Sequence, residues 1–217
     1  MLSKVKSIGL MGINGYTVMV ETDISSGLPA FDMVGLGDTA VKESKERVRA
    51  AIKNAGLDFP IKRITINLAP ADKRKEGSAF DLPIALGILS ATGQINGSNI
   101  EKYAFLGELS LDGGIKPVKG ILPMVISARE DGIERIVLPV ENADEAAVVK
   151  GISIFPAANI IDVVNHLNGE SEIKRHEVDV DAFFNKSLEY DVDFADVKGQ
   201  ENVKRALEVA ASGGHNC

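Results

Sequence analysis

Residues 79–92 limit most sharply how this chain can fold. Ala79 to Thr92 reads as a helix that is apolar nearly all round, with Pro83 admissible only in its first turn. A helix without a polar face has no side to show to water, so other elements must cover it. The run Leu82 to Ala91 is broken by Pro83 and Gly87 and is far too short to span a bilayer. Burial inside a protein core is what remains.

The segments able to cover it alternate in type. Val5 to Leu10 and Tyr16 to Thr22 predict two strands, joined through Gly12-Ile13-Asn14-Gly15, residues that tolerate a hairpin turn. Phe31 to Val34 predicts a third strand. Gly35 and Gly37 then reverse the chain, and Asp38 caps a helix over Thr39 to Ala55 that Gly56 ends. Val41, Val48, Ala51, Ile52 and Ala55 share its apolar face. Its charged face offers Glu43–Arg47 and Glu46–Arg49 spacings suited to pairs within the helix.

Further strands are expected at Ile64 to Leu68, Tyr103 to Leu111, Arg135 to Leu138 and Ile152 to Phe155. Helices are expected at Ile121 to Glu130, Asn142 to Val149 and Ile160 to Leu167. Strands alternating with helices define an α/β class, a sheet covered by helices. Composition shifts after Leu167. We read 1–170 as one domain and 171–195 as an acidic linker holding a short helix near residues 181–188. In 196–217, Gly199-Gln200 opens a last helix running to about Ala211.

Composition bounds the function classes. A hydrophobic share of 45% and a charged share of 25% are those of a soluble globular protein. The net charge of −7 excludes a general nucleic-acid coat but leaves room for a local basic patch. The single cysteine, Cys217, cannot form a disulfide within the chain, and Gly9 and Gly12 break any signal-peptide core near Met1. The expectation is a cytoplasmic protein without a membrane partner. His166, His176 and His215 stand far apart without ligand spacing, so no metal site is expected.

Two places carry candidate chemistry. Lys73, Arg74 and Lys75 form a compact basic cluster on the loop before the buried helix, with Lys62 and Arg63 preceding the neighbouring strand. They read either as contacts to phosphates of single-stranded or branched DNA, or as a solvated loop. The DNA reading requires all three on one exposed face. Phe80 is the only aromatic close by in sequence and reads as core. Ser78 reads as the cap of the apolar helix; as a rival, it is a peptidase nucleophile with Lys116 or Lys119 as base.

Several long segments carry a resemblance. Gly9-Leu-Met-Gly-Ile-Asn-Gly-Tyr16, Gly27-Leu-Pro-Ala-Phe-Asp-Met-Val-Gly-Leu-Gly-Asp38, Ile66-Asn-Leu-Ala-Pro-Ala-Asp72, Lys75-Glu-Gly-Ser-Ala-Phe-Asp-Leu-Pro83 and Gly107-Glu-Leu-Ser-Leu-Asp-Gly113 resemble the magnesium-chelatase-like AAA+ ATPases of the YifB/ComM type. The resemblance implies a Lon-protease-like domain, a two-layer sheet with helices of the kind found in the second domain of ribosomal protein S five. It implies that an ATPase module follows, opened by Val197-Lys-Gly-Gln200. In the full-length protein ATP and Mg2+ are then the cofactors, with Val197, Gly199 and Gln200 on the adenine side.

No phosphate loop of the form G-x-x-x-x-G-K-S/T occurs in these residues, so the 217 residues alone are not expected to hydrolyse ATP. The same resemblance places Ala79 where a Lon-type peptidase has its serine and Leu122 where it has its lysine. The expected function is a non-catalytic scaffold or DNA-contacting collar of a hexameric ring that drives DNA unwinding or branch migration. The rivals are a Ser–Lys peptidase using Ser78 and a protein-interaction adaptor without DNA contact.

Overall fold

The computed structural model describes residues 1–179 and 193–216, which divide into two units, Met1–Val178 and Asp179–Cys217. The first opens with a long hairpin, β1 (Leu2–Met11) and β2 (Asn14–Ser25), turned at Gly12-Ile13. Gly12 has φ 63°, which a residue without Cβ adopts at no steric cost. There follow β3 (Ala30–Val34), α1 (Thr39–Asn54), β4 (Arg63–Ala69), α2 (Asp81–Ala91), a short α3 (Gly97–Ile100) and β5 (Ala104–Phe105). After these come β6 (Glu108–Leu109), β7 (Ile115–Lys116), α4 (Ile121–Glu130), β8 (Arg135–Pro139), α5 (Ala143–Ala147), β9 (Ser153–Ala157) and α6 (Ile160–Asn168). Seven strands form one sheet in the order β3-β4-β2-β1-β5-β8-β9. Only the β4–β2 and β2–β1 neighbours are antiparallel.

Alternate strand residues serve two cores. Val5, Phe105, Val137 and Ala157 join α1, α2 and α6 in one apolar cluster. Ile8, Ala104, Ile136, Leu138 and Ile154 join α4 and α5 in a second. The sheet therefore carries α1, α2 and α6 on one face. On the other, α4 packs over β2 and β1, and α5 lies against β9. The parallel strands β5 and β8 are buried on both faces, which is where parallel strands are stable.

The apolar helix lies at the centre, as its pattern requires. Leu82, Ile84, Leu86, Ile88 and Leu89 have no exposed surface, and each such side chain contributes about 1.5–3 kcal/mol. Gly87 lets this helix approach β2: a Cβ there would stand 2.4 Å from Thr22 Oγ1. The Ser3 hydroxyl donates to the Gly87 carbonyl at 2.7 Å across the same contact.

Two boundaries differ from the sequence reading. The strand expected over Tyr103 to Leu111 is broken, because Gly107 leaves the sheet to bond the start of α2. Its N–H donates to Ala79 O and its carbonyl accepts from Leu82 N, both at 3.0 Å. Beyond the break, β6 pairs with β7 as a separate ribbon. The segment after residue 170 stays docked as far as Val178. His176 N donates to Ile154 O at 2.8 Å, and Ile173 N donates to His166 Nδ1 at 3.1 Å. The short helix expected near 181–188 lies outside the described residues.

In the second unit, a 3-10 turn at Phe194–Asp196 is fixed by a capping box from Asp193. Gly199 (φ 74°) and Gln200 (φ 56°) then turn the chain into α7 (Glu201–Ser212), none of whose residues is buried. No helix among the described residues is long and apolar enough to cross a membrane.

Candidate functional site

The loop between β4 and α2 brings most of the candidate residues together. It is held against the β3–α1 turn: Lys75 N donates to Leu36 O at 3.1 Å, and Asp38 N donates to Lys75 O at 3.0 Å. Asp38 also acts as expected of a cap, one carboxylate oxygen accepting from Val41 N at 2.8 Å. Its other oxygen accepts from Gly77 N at 3.1 Å. Leu36 takes a left-handed φ of 56° to make this turn.

The three basic residues do not share an exposed face. Lys75 is 0% exposed; its amine donates to Pro70 O and, at 2.8 Å, to Lys73 O. It staples its own loop and is lost as a phosphate contact. Burial pulls its pKa below the ordinary lysine value, with the Lys73 charge acting in the same direction and Asp72 opposing. Arg74 is exposed and lies 3.3 Å from Glu76. Lys73 stands over the Tyr16 ring at 4.6 Å, and the Tyr16 hydroxyl donates to Arg74 O at 2.8 Å. Burial raises the Tyr16 pKa, with Glu76 and Asp72 adding to the effect. An aromatic thus lies under the basic loop, supplied by a strand more than fifty residues away.

Ser78 does not cap α2. The helix begins two residues later than expected, after Phe80, without a side-chain cap. The Ser78 hydroxyl instead donates to the Glu108 carboxylate. Among the described residues no lysine hydrogen-bonds Ser78, and Lys116 and Lys119 are both exposed. The desolvated lysine nearest in sequence, Lys75, gives its amine to Pro70 O and Lys73 O and not to Ser78.

Next to Ser78 lies a pair that the sequence reading missed. Asp81, fully buried in the first turn of α2, accepts from Arg47 Nε at 2.6 Å and from its Nη2 at 3.0 Å. Asp81 also accepts from Leu109 N at 3.2 Å, and Arg47 Nη2 donates to Ala40 O at 3.0 Å. Burial pushes the Asp81 carboxyl above the usual carboxylate range, against the pull of Arg47. Arg47 is thus drawn off the solvated face where pairing with Glu43 was expected, and Glu46 lies 4.0 Å from Lys45 rather than pairing with Arg49. The available signal was one acid inside an otherwise apolar helix.

The positions that the resemblance assigns to a Lon dyad both adjoin one apolar cluster. Ala79 is buried in the second apolar cluster, and Leu122 packs against that same cluster. Both are hydrocarbon, so neither position carries a nucleophile or a base. Among the described residues no group of three or more His, Cys, Asp or Glu is placed to hold a metal ion. Val197, Gly199 and Gln200 lie together at the mouth of α7, where Lys204 Nζ donates to Val197 O at 3.1 Å.

Seven mostly parallel strands with helices on both faces define a Lon-like α/β domain. Comparison with known proteins agrees. The family described as subunit ChlI of Mg-chelatase matches residues 20–142, and a second profile, magnesium chelatase, subunit ChlI, matches residues 193–217. The chain is 41% identical over 216 residues to the competence protein ComM of Haemophilus influenzae, and 40% identical over 215 residues to YifB of Escherichia coli. Each match covers 99% of this chain and 42% of the relative, so the chain spans less than half the length of these proteins. Lon protease 2 of Bacillus subtilis is 28% identical over 144 residues, 64% of this chain and 25% of that protein. The chain belongs to the ComM/YifB-type, Mg-chelatase-like family.

Proposed function

We propose that residues 1–178 are a non-peptidase scaffold and DNA-contacting collar in a cytoplasmic, ring-forming ATPase that moves DNA strands. The observation that carries the scaffold role is hydrocarbon at both positions, Ala79 buried in one apolar cluster and Leu122 packed against it. A Lon-like domain that keeps its fold with hydrocarbon at both positions is retained for shape. The three-cation face required for DNA contact fails because Lys75 is buried, so the DNA role rests on Lys73 and Arg74 alone, on the loop beside Tyr16, and on the Haemophilus relative's designation as a competence protein. ATP and Mg2+ belong to the module that α7 opens, with Val197, Gly199 and Gln200 near the adenine and the phosphates held by residues outside these 217. The full ring is a hexamer in this reading.

The test is binding of fluorescent single-stranded and branched DNA by the 217-residue protein across a salt series, run beside a peptide-hydrolysis assay. Binding that weakens with salt is the expected result. No binding at low salt removes direct DNA contact. Peptide cleavage that disappears in Ser78→Ala replaces the scaffold with a peptidase. The adaptor reading draws on Met11 and Ile13, exposed at the β1–β2 turn; it wins if a protein partner binds there and DNA does not bind at all.

A further inference from the structure

A second basic surface lies away from the Lys73 loop. Lys45, Arg49 and Lys53 recur every four residues along α1, so they form a row with about 6 Å between neighbours along the axis. Beneath the row is a cleft of about 220 Å³, floored by Phe31 of β3 and Phe59 of the α1–β4 loop and closed by Lys62. Among the described residues no carboxylate lines it. Of the acids nearby, Asp32 is held by Arg63 at 2.8 Å and Glu46 lies 4.0 Å from Lys45. Arg49, Lys53 and Lys62 have no ion pair among the described residues. In a chain of net charge −7, four cations around an acid-free cleft are a local reversal of sign.

The aromatics narrow the ligand class. Phe31 and Phe59 are half-buried against the core, so their rings are held in place by packing. Lys45 stands 6.0 Å from the Phe31 centroid and Arg49 5.9 Å from that of Phe59, the outer limit of a cation–π contact. Long side chains held that loosely can turn toward an anion and leave a ring face to a planar guest. Fixed aromatic faces beside a regular row of cations suit a polymer that alternates flat apolar groups with phosphates. A duplex keeps its bases stacked inside, and an acidic peptide has no use for the rings.

We infer that the cleft between α1 and the β3–β4 edge binds single-stranded nucleic acid, its bases against Phe31 and Phe59 and its phosphates along Lys45, Arg49, Lys53 and Lys62. This rests on the reading of the domain as a DNA contact and assigns the single strand to a surface separate from Lys73 and Arg74.

The experiment is fluorescence anisotropy of the 217-residue protein with oligodeoxythymidylate at a series of salt concentrations. Four phosphate contacts give a log–log salt slope of about −3. A Lys45→Ala/Lys53→Ala/Lys62→Ala variant, shown folded by its melting transition, is expected to lower affinity at least tenfold and bring the slope to about −1. Phe59→Leu keeps the apolar volume and loses the flat face, with an expected loss of about tenfold. Lys150→Ala/Lys174→Ala, exposed cations outside both the cleft and the Lys73 loop, is expected to keep oligodeoxythymidylate binding. Binding that survives the cleft variants and is lost with Lys73 and Arg74 overturns this site while the DNA reading stands. No binding at low salt overturns both. Binding that polyglutamate displaces as well as polynucleotide, with Phe59→Leu silent, makes the cleft a general acidic-polymer site and overturns the assignment.

Discussion

Arg47 reaches from the middle of α1 to clasp both carboxylate oxygens of Asp81, the first residue of α2 and a side chain with no exposure. A two-pronged guanidinium–carboxylate pair fixes orientation as well as distance. Asp81 passes that constraint on to Leu109 N, so one carboxylate joins α1, α2 and β6. Arg47→Met is expected to cost about 3–5 kcal/mol, because it leaves a buried carboxylate without a counter-charge. The double variant Arg47→Met/Asp81→Leu recovers a large part of that loss. Urea unfolding of the three proteins measures both; a single variant as stable as the parent would show the pair to be idle.

Ser78 donates to a carboxylate and does not cap a helix, and that changes what its removal does. Ser78→Ala is expected to cost about 1 kcal/mol, the usual net worth of one hydrogen bond. A loss of at least that size should appear in Glu108→Ala, which removes the acceptor. If the two losses add in full in the double variant, the bond contributes nothing.

His166 links stability to acid pH. Its Nδ1 accepts from Ile173 N and its Nε2 lies 3.0 Å from the Tyr103 hydroxyl, an arrangement that uses the neutral ring. Burial lowers its pKa, with Arg135 acting the same way and Glu172 against. The unfolded chain therefore takes up the proton first. Stability is lost as pH falls from the free-histidine value of about 6.5 to the lower folded-state value, and is constant beyond it. His166→Gln should flatten that slope in chemical unfolding followed against pH, and an unchanged slope would assign the effect elsewhere.

Lys75 acts at the other end of the scale. A lysine whose folded-state pKa is depressed stays protonated in the unfolded chain while the folded protein has released its proton. Its burial penalty is therefore relieved as pH rises from the folded value toward about 10.4. The parent should gain stability relative to Lys75→Met across that window. A difference that does not move with pH would mean that the amine stays charged in place.

Much of this was legible because it depends on neighbours in the chain. The apolar period of residues 79–92 fixes a buried helix, Gly12 permits a turn, and the Asp38 side chain reaches an N–H three residues on. The hydrocarbon at Ala79 and Leu122 is likewise a matter of residue identity, read once the resemblance places them. What the sequence by itself determined is this alternation of strand and helix, with the buried helix at its centre.

The fate of each charge was decided only by the tertiary structure. Arg47 sits on a helix face that looks solvated until Asp81 arrives from thirty-four residues away. Lys75 looks like one of three exposed cations until the loop folds back and supplies two carbonyls to its amine. Phe31, Phe59 and the lysines of α1 are scattered in sequence and form a cleft only when β3, α1 and β4 pack together. Periodicity records which residues leave water, because burial of hydrocarbon depends on area alone. Which charge meets which partner depends on direction and distance between elements, and only the packed chain sets those.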